Sequence, residues 1–129
     1  FFLCLFPCFR LLSHVPSPVL CPVPLHWMRR VFRGFNQSAE LTAIIAKERE
    51  WQVRSLLRRI RPGRAQVGLS TSLRRDNVRG IFRCVCVPPL YVLLVDDVAT
   101  TGATLDACAR ALKDAGAKRV EGLVVALGS

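Results

Sequence analysis

One contiguous stretch, Leu93-Leu94-Val95-Asp96-Asp97-Val98-Ala99-Thr100-Thr101-Gly102-Ala103-Thr104-Leu105, limits what this chain can fold into more than any other. Tyr91 to Val95 is a short apolar run rich in β-formers, preceded by Pro88-Pro89. Such a run predicts a strand buried on both faces, as in a parallel sheet. Asp106 to Ala115 mixes polar and apolar residues at helical spacing and stops at Gly116, a suitable residue just past a helix end. The order is therefore strand, acidic pair, small-residue loop, helix.

That order carries chemistry. In open α/β sheets, ligands sit beyond the carboxyl ends of the strands, which is where Asp96 and Asp97 are expected to emerge. Thr100, Thr101, Gly102 and Thr104 are small enough for backbone N–H groups to close around an anion. The helix start adds free donors and a partial positive charge. A phosphate suits the loop, while the two carboxylates suit sugar hydroxyls or a magnesium ion. Phosphate and diol together describe a ribose 5-phosphate. A P-loop is excluded, because its Gly-Lys-Ser/Thr signature is absent.

Val92 to Leu105 resembles the binding motif for 5-phosphoribosyl 1-diphosphate (PRPP) of type I phosphoribosyltransferases. In that motif apolar residues, two acids and Thr-Thr-Gly-Ala-Thr follow one another. The resemblance implies an α/β fold with an open, mainly parallel sheet and helices on both faces. It assigns PRPP contacts to Asp96, Asp97, Val98, Ala99, Thr100, Thr101, Gly102, Ala103 and Thr104. Thr100 to Thr104 would hold the 5-phosphate, and Asp96 and Asp97 the ribose hydroxyls and, directly or through water, Mg2+.

The remaining chain is read around that stretch. Its 129 residues, 51% of them apolar, allow one domain with a core. A net charge of +10 favours polyanionic ligands, either phosphorylated sugars or nucleic acid. The six cysteines form no C-x-x-C pair and no histidine pair has metal spacing, so neither a disulfide framework nor a zinc site is expected. Cys4-x3-Cys8 with Cys21 is the nearest approach to one. Reduced thiols and a cytoplasmic location fit this composition. Residues 1–20 are expected to form an atypical, poorly ordered lead-in, broken by Pro7, Pro16 and Pro18. They are far short of the ~20 apolar residues of a membrane span, and the domain is placed at residues 21–129.

Strands are expected near Val19–Val23, Val53–Leu57, Tyr91–Val95 and Val120–Ala126, and helices near Ser38–Arg49 and Thr104–Ala115. Ser38 is the expected N-cap, with Leu41, Ile44 and Ile45 facing the core. Gln52 to Ile60 fits a continuing helix or a strand. Val23-Pro24 is a candidate cis bond. Arg58 to Arg83 is basic and polar, the kind of long segment that is functional or disordered.

Three blocks together resemble the ComF competence-protein family within the superfamily. They are Val23-Pro24-Leu25-His26 with Arg33-Gly34-Phe35-Asn36-Gln37, then Arg61 to Phe82, then the PRPP motif. The resemblance favours the strand at Val53–Leu57. It implies that Val23, Pro24, Leu25, Arg30 and Arg33 hold diphosphate and magnesium. It also implies that a loop bearing Arg64, Gln66, Arg74 and Asn77 closes over the site and excludes water. Catalysis would come from positioning and charge as the ribose C1–diphosphate bond breaks. Family members carry a cysteine-rich zinc ribbon that has no counterpart here, so the chain is expected to be a C-terminal piece. The rival reading is a non-catalytic module for DNA uptake that binds single-stranded DNA. No dedicated base, acceptor or oligomeric state is legible.

Overall fold

The computed structural model describes residues 17–25, 36–60, 80–99 and 102–127. Seven elements follow one another. They are strand β1 (Val19–Pro22), helix α1 (Gln37–Arg49), strands β2 (Leu57–Arg59), β3 (Phe82–Cys84) and β4 (Tyr91–Ala99), helix α2 (Ala103–Asp114) and strand β5 (Arg119–Leu127). Strands β1, β4 and β5 form a parallel sheet in the order β1-β4-β5. In register, Val19 faces Val92 and Pro22 faces Val95 on one side of β4, and Asp96 faces Val124 on the other.

The central strand owes its place to its sequence. Side chains alternate across a strand. Val92 and Leu94 enter one core with Leu105, Cys108, Ala109 and Leu112 of α2, whereas Leu93 and Val95 enter a second with Leu20, Ile45 and Leu123, on the side of α1. A strand that must satisfy two cores has no room for polar residues between Val92 and Val95. This is the expected architecture: a mainly parallel α/β sheet with helices on both faces.

Helix α2 ends as its sequence predicts. Gly116 has φ +120°, its N–H bonds to the Lys113 carbonyl, and the Ala117 N–H reaches the Leu112 carbonyl at 3.0 Å. That pair of bonds is a Schellman closure, which needs a left-handed residue and so favours glycine. Beyond it, Lys118 and Arg119 donate to the Leu90 carbonyl and lead the chain back beside β4.

Three local expectations are corrected, and the expected end of α1 at Arg49 holds. The N-cap of α1 is Asn36, whose Oδ1 accepts the Ser38 N–H at 3.1 Å. Ile44 is 59% exposed, because the helix turns Ser38, Thr42 and Ile45 inward instead. The helix stops at Arg49, where Glu50 takes a left-handed conformation (φ 56°) and sends Trp51 onto the α1-side core. No cis peptide bond occurs among the described residues, so Val23-Pro24 is trans.

The stretch expected as a strand at Val53–Leu57 divides in two. Leu20 of β1 bonds to the Gln52 carbonyl and accepts from the Arg54 N–H, so Val53 bridges the sheet edge for one residue. The chain then leaves, and Leu57–Arg59 pairs antiparallel with Phe82–Cys84 as a separate two-stranded ribbon. Leu56, Leu57, Ile81 and Phe82 tuck this ribbon against the α2-side core. Residues 1–16, which hold most of the expected lead-in, lie outside the described residues, and β1 begins at Val19.

Candidate functional site

Strand β4 continues past Val95 to Ala99, so the acidic pair lies within the strand and not beyond it. Asp96 is 9% exposed and Asp97 half-buried. One oxygen of Asp96, Oδ1, accepts the Ser38 hydroxyl at 3.0 Å and the Asp97 N–H at 2.9 Å. The expected emergence of the pair beyond the strand end is thus corrected, and Asp96 is largely enclosed. Burial pushes the Asp96 carboxyl up to about 6, aided by the neighbouring Asp97, while the Ser38 hydroxyl and the Asp97 N–H act in the opposite direction.

The turn after β1 is joined to this point. The Val23 N–H donates to the Val95 carbonyl at 2.9 Å, and the Val23 side chain is buried in the α2-side core. Val23 therefore sets the course of the turn, with its amide and side chain both already engaged. Pro24 and Leu25 are half-buried. The Asn36 amide donates to the Val23 carbonyl at 3.4 Å and thereby ties the start of α1 to the same turn.

On the other side of the acidic pair, α2 starts at Gly102, which has φ +75° and makes no side-chain cap bond. Its carbonyl accepts the Asp106 N–H at 2.9 Å. A left-handed N-cap here requires glycine even though a Cβ would meet open space. Ala103 is half-buried and Thr104 exposed at the first turn. Backbone donors at such a helix start suit an anion. Val98 and Ala99 follow Asp97 along β4. Thr100, Thr101, Arg30, Arg33, Arg64, Gln66, Arg74 and Asn77 lie outside the described residues.

The arrangement thus brings together Asp96, Asp97, the turn at Val23 to Leu25 and the start of α2, all at the carboxyl end of the parallel sheet. Reading the sequence missed Asn36 and Ser38 as members of this group. A signal existed: Ser38 and Thr42, one helical turn apart, are polar residues on a face that must be buried for α1 to pack at all. Two adjacent carboxylates are a hard-oxygen donor pair of the kind that holds Mg2+ with most of its waters retained. Among the described residues no group of three or more His, Cys, Asp or Glu side chains is placed to hold a metal. Burial pushes the Cys21 thiol up to about 11 and that of Cys108 well above its usual range, which marks both as core residues.

Residues 90–128 match the family description "Phosphoribosyl transferase domain". Together with the parallel sheet and its flanking helices, this defines the class: an α/β, phosphoribosyltransferase-like fold. The chain is 31% identical to Competence protein F of Haemophilus influenzae over 115 residues, which is 83% of this chain and 48% of that protein. It is 39% identical to DNA utilization protein YhgH of Salmonella typhi over 103 residues, 77% of this chain and 44% of that protein. It is 37% identical to YhgH of Escherichia coli K12 over the same length. The chain is homologous to these proteins, consistent with the ComF family of the phosphoribosyltransferase superfamily, and it spans about half the length of the curated relatives it matches. No solved structure matches it. Among the described residues no helix is long and apolar enough to cross a membrane.

Proposed function

We propose that this chain binds a ribose 5-phosphate ligand, with PRPP and Mg2+ as the first candidates, and takes part in phosphoribosyl transfer to an acceptor. One observation carries the reading: β4 carries Asp96 and Asp97 and is followed, five residues after Asp97, by a helix whose start has a left-handed glycine and no side-chain cap. Carboxylates for the hydroxyls and backbone donors for the phosphate then lie in the order the ligand needs. The phosphoribosyl transferase match over residues 90–128 supports it, since it covers this segment. Bound Mg2+ would neutralise diphosphate charge, with Asp96 and Asp97 as its protein contacts. Calorimetric titration with PRPP in the presence and absence of magnesium tests the reading. Saturable, magnesium-dependent binding is expected, and its absence would overturn the reading.

A second reading, a DNA-handling module, has its own observation. Arg58 and Arg83 face each other directly across the β2–β3 ribbon, both exposed. Like charges in opposed positions destabilise a ribbon, and neither has an acidic partner among the described residues. A phosphodiester would relieve that repulsion. The names Competence protein F and DNA utilization protein, borne by relatives, point the same way. If single-stranded DNA lies here, replacing Arg58 and Arg83 with Ala should lower the slope of log affinity against log salt by roughly 1.4, about 0.7 for each lost phosphate contact. Titrations between low and moderate salt read this out, and an unchanged slope would remove the ribbon from any DNA path.

A further inference from the structure

We propose that Ser38 is a positioning residue of the ribose site, holding the Asp96 carboxylate in the orientation that receives the ligand. The inference rests on the ribose-phosphate reading above and adds to it a residue from outside the motif. Ser38 is buried, and its hydroxyl donates to Asp96 Oδ1 across 58 positions of sequence. The same oxygen accepts the Asp97 N–H, so two donors on one atom fix the carboxylate rotamer.

A serine in the first turn of a helix ordinarily spends its hydroxyl on its own backbone, as a cap or a back-bond. Here Asn36 takes the cap, accepting the Ser38 N–H, and that frees the Ser38 hydroxyl for Asp96. The Thr42 hydroxyl donates to the Ser38 carbonyl and holds the turn from below. Asn36 also donates to the Val23 carbonyl, and the Val23 N–H donates to Val95, the residue before Asp96. The bonds close a ring: β4 to the Val23 turn, to Asn36, to Ser38, to Asp96 and back to β4. Such a ring joins the acidic pair to the turn after β1, so the two move as one body. Buried polar atoms are paired in folded proteins, but pairing Asp96 alone would need one donor. A circuit through three elements supplies geometry as well.

Calorimetry with PRPP and magnesium on the wild type and five variants tests this. Ser38→Ala should weaken PRPP binding by roughly tenfold, the effect of one charge-assisted hydrogen bond. Ser38→Thr, which keeps the hydroxyl, should recover most of the loss. In an Asp96→Asn background, Ser38→Ala should change affinity by less than about twofold, because the two residues act through one contact. Tyr91→Phe removes the 2.7 Å bond to Glu121 at the far end of β4. It should lower the melting temperature and leave PRPP affinity unchanged, which separates positioning from general destabilisation. A wild type that binds PRPP beside a Ser38→Ala variant of equal affinity would overturn the positioning role alone. Additive losses in the double variant would do the same. A wild type that binds no PRPP would overturn the ribose-phosphate reading and the inference with it.

Discussion

Replacing Asp96 and Asp97 together with Asn should weaken PRPP binding by roughly ten- to a hundredfold or more, while the chain still folds. Each lost charge-assisted acceptor is worth about 1.5–3 kcal/mol, and about 1.4 kcal/mol is one factor of ten in affinity. Asn keeps the shape and an acceptor oxygen, so the Ser38 hydroxyl and the backbone N–H at residue 97 retain a partner. Isothermal calorimetry with PRPP and magnesium measures the loss. A double variant that binds as tightly as the wild type would refute the assignment of these carboxylates.

The same substitution at Asp96 alone should make the fold more resistant to heat at neutral pH. Burial raises the Asp96 carboxyl from 3.8 to about 6, so ionised Asp96 is less favourable in the folded chain than in the unfolded one. The sign follows from proton linkage. Between about pH 4 and 6 the folded state holds a proton that the unfolded state has released, so this group's contribution to stability falls as pH rises through that window and is level above it. Asn at position 96 has no such penalty. The difference in melting temperature between variant and wild type should therefore widen from pH 4 to pH 6 and stay constant above. Stability given up at a polar site is a common cost of a site that must bind.

Leu94→Ala should have the largest effect on folding, a loss of about 2–5 kcal/mol. Leu94 is 0% exposed in the central strand and belongs to the core that joins β4 to α2 and to the β2–β3 ribbon. It shares that core with Cys21 of β1, Phe82 of β3 and Leu105 of α2, three segments whose other contacts limit collapse into the cavity. Total stabilities of small domains are about 5–15 kcal/mol, and such a loss consumes a large share of that. Chemical denaturation of wild type and variant gives the difference. A loss under about 1 kcal/mol would mean that β4 is not the strand on which the core is built.

Much of the site was legible because it is contiguous. The run from Tyr91 to Leu105 contains its own strand, acids, glycine and helix start, so reading it needs no knowledge of what lies across the sheet. The expected ends of α2 were close for the same reason: Gly102 and Gly116 mark their conformations locally through positive φ. The α/β class followed from strand-like and helix-like runs in alternation, each visible within a window of about ten residues.

Only the tertiary structure decided the rest, and in each case the deciding contact is remote in sequence. Residues 53–57 have one local pattern and two fates: Val53 answers to Leu20 of β1, and Leu57 to Cys84 of β3. The buried face of α1 was misjudged at Ile44 because hydrophobicity favours isoleucine inward, whereas the helix buries Ser38, Thr42 and Ile45, with Ser38 bonded to Asp96 and Ile45 in the core. Asp96 and Asp97 are identical as letters. Burial and the Ser38 hydroxyl set the surroundings of Asp96, and those surroundings arise only when α1 packs beside β4. Sequence alone determined the chemistry the motif can offer. Packing decided which hydroxyl holds Asp96 and at what cost in ionisation.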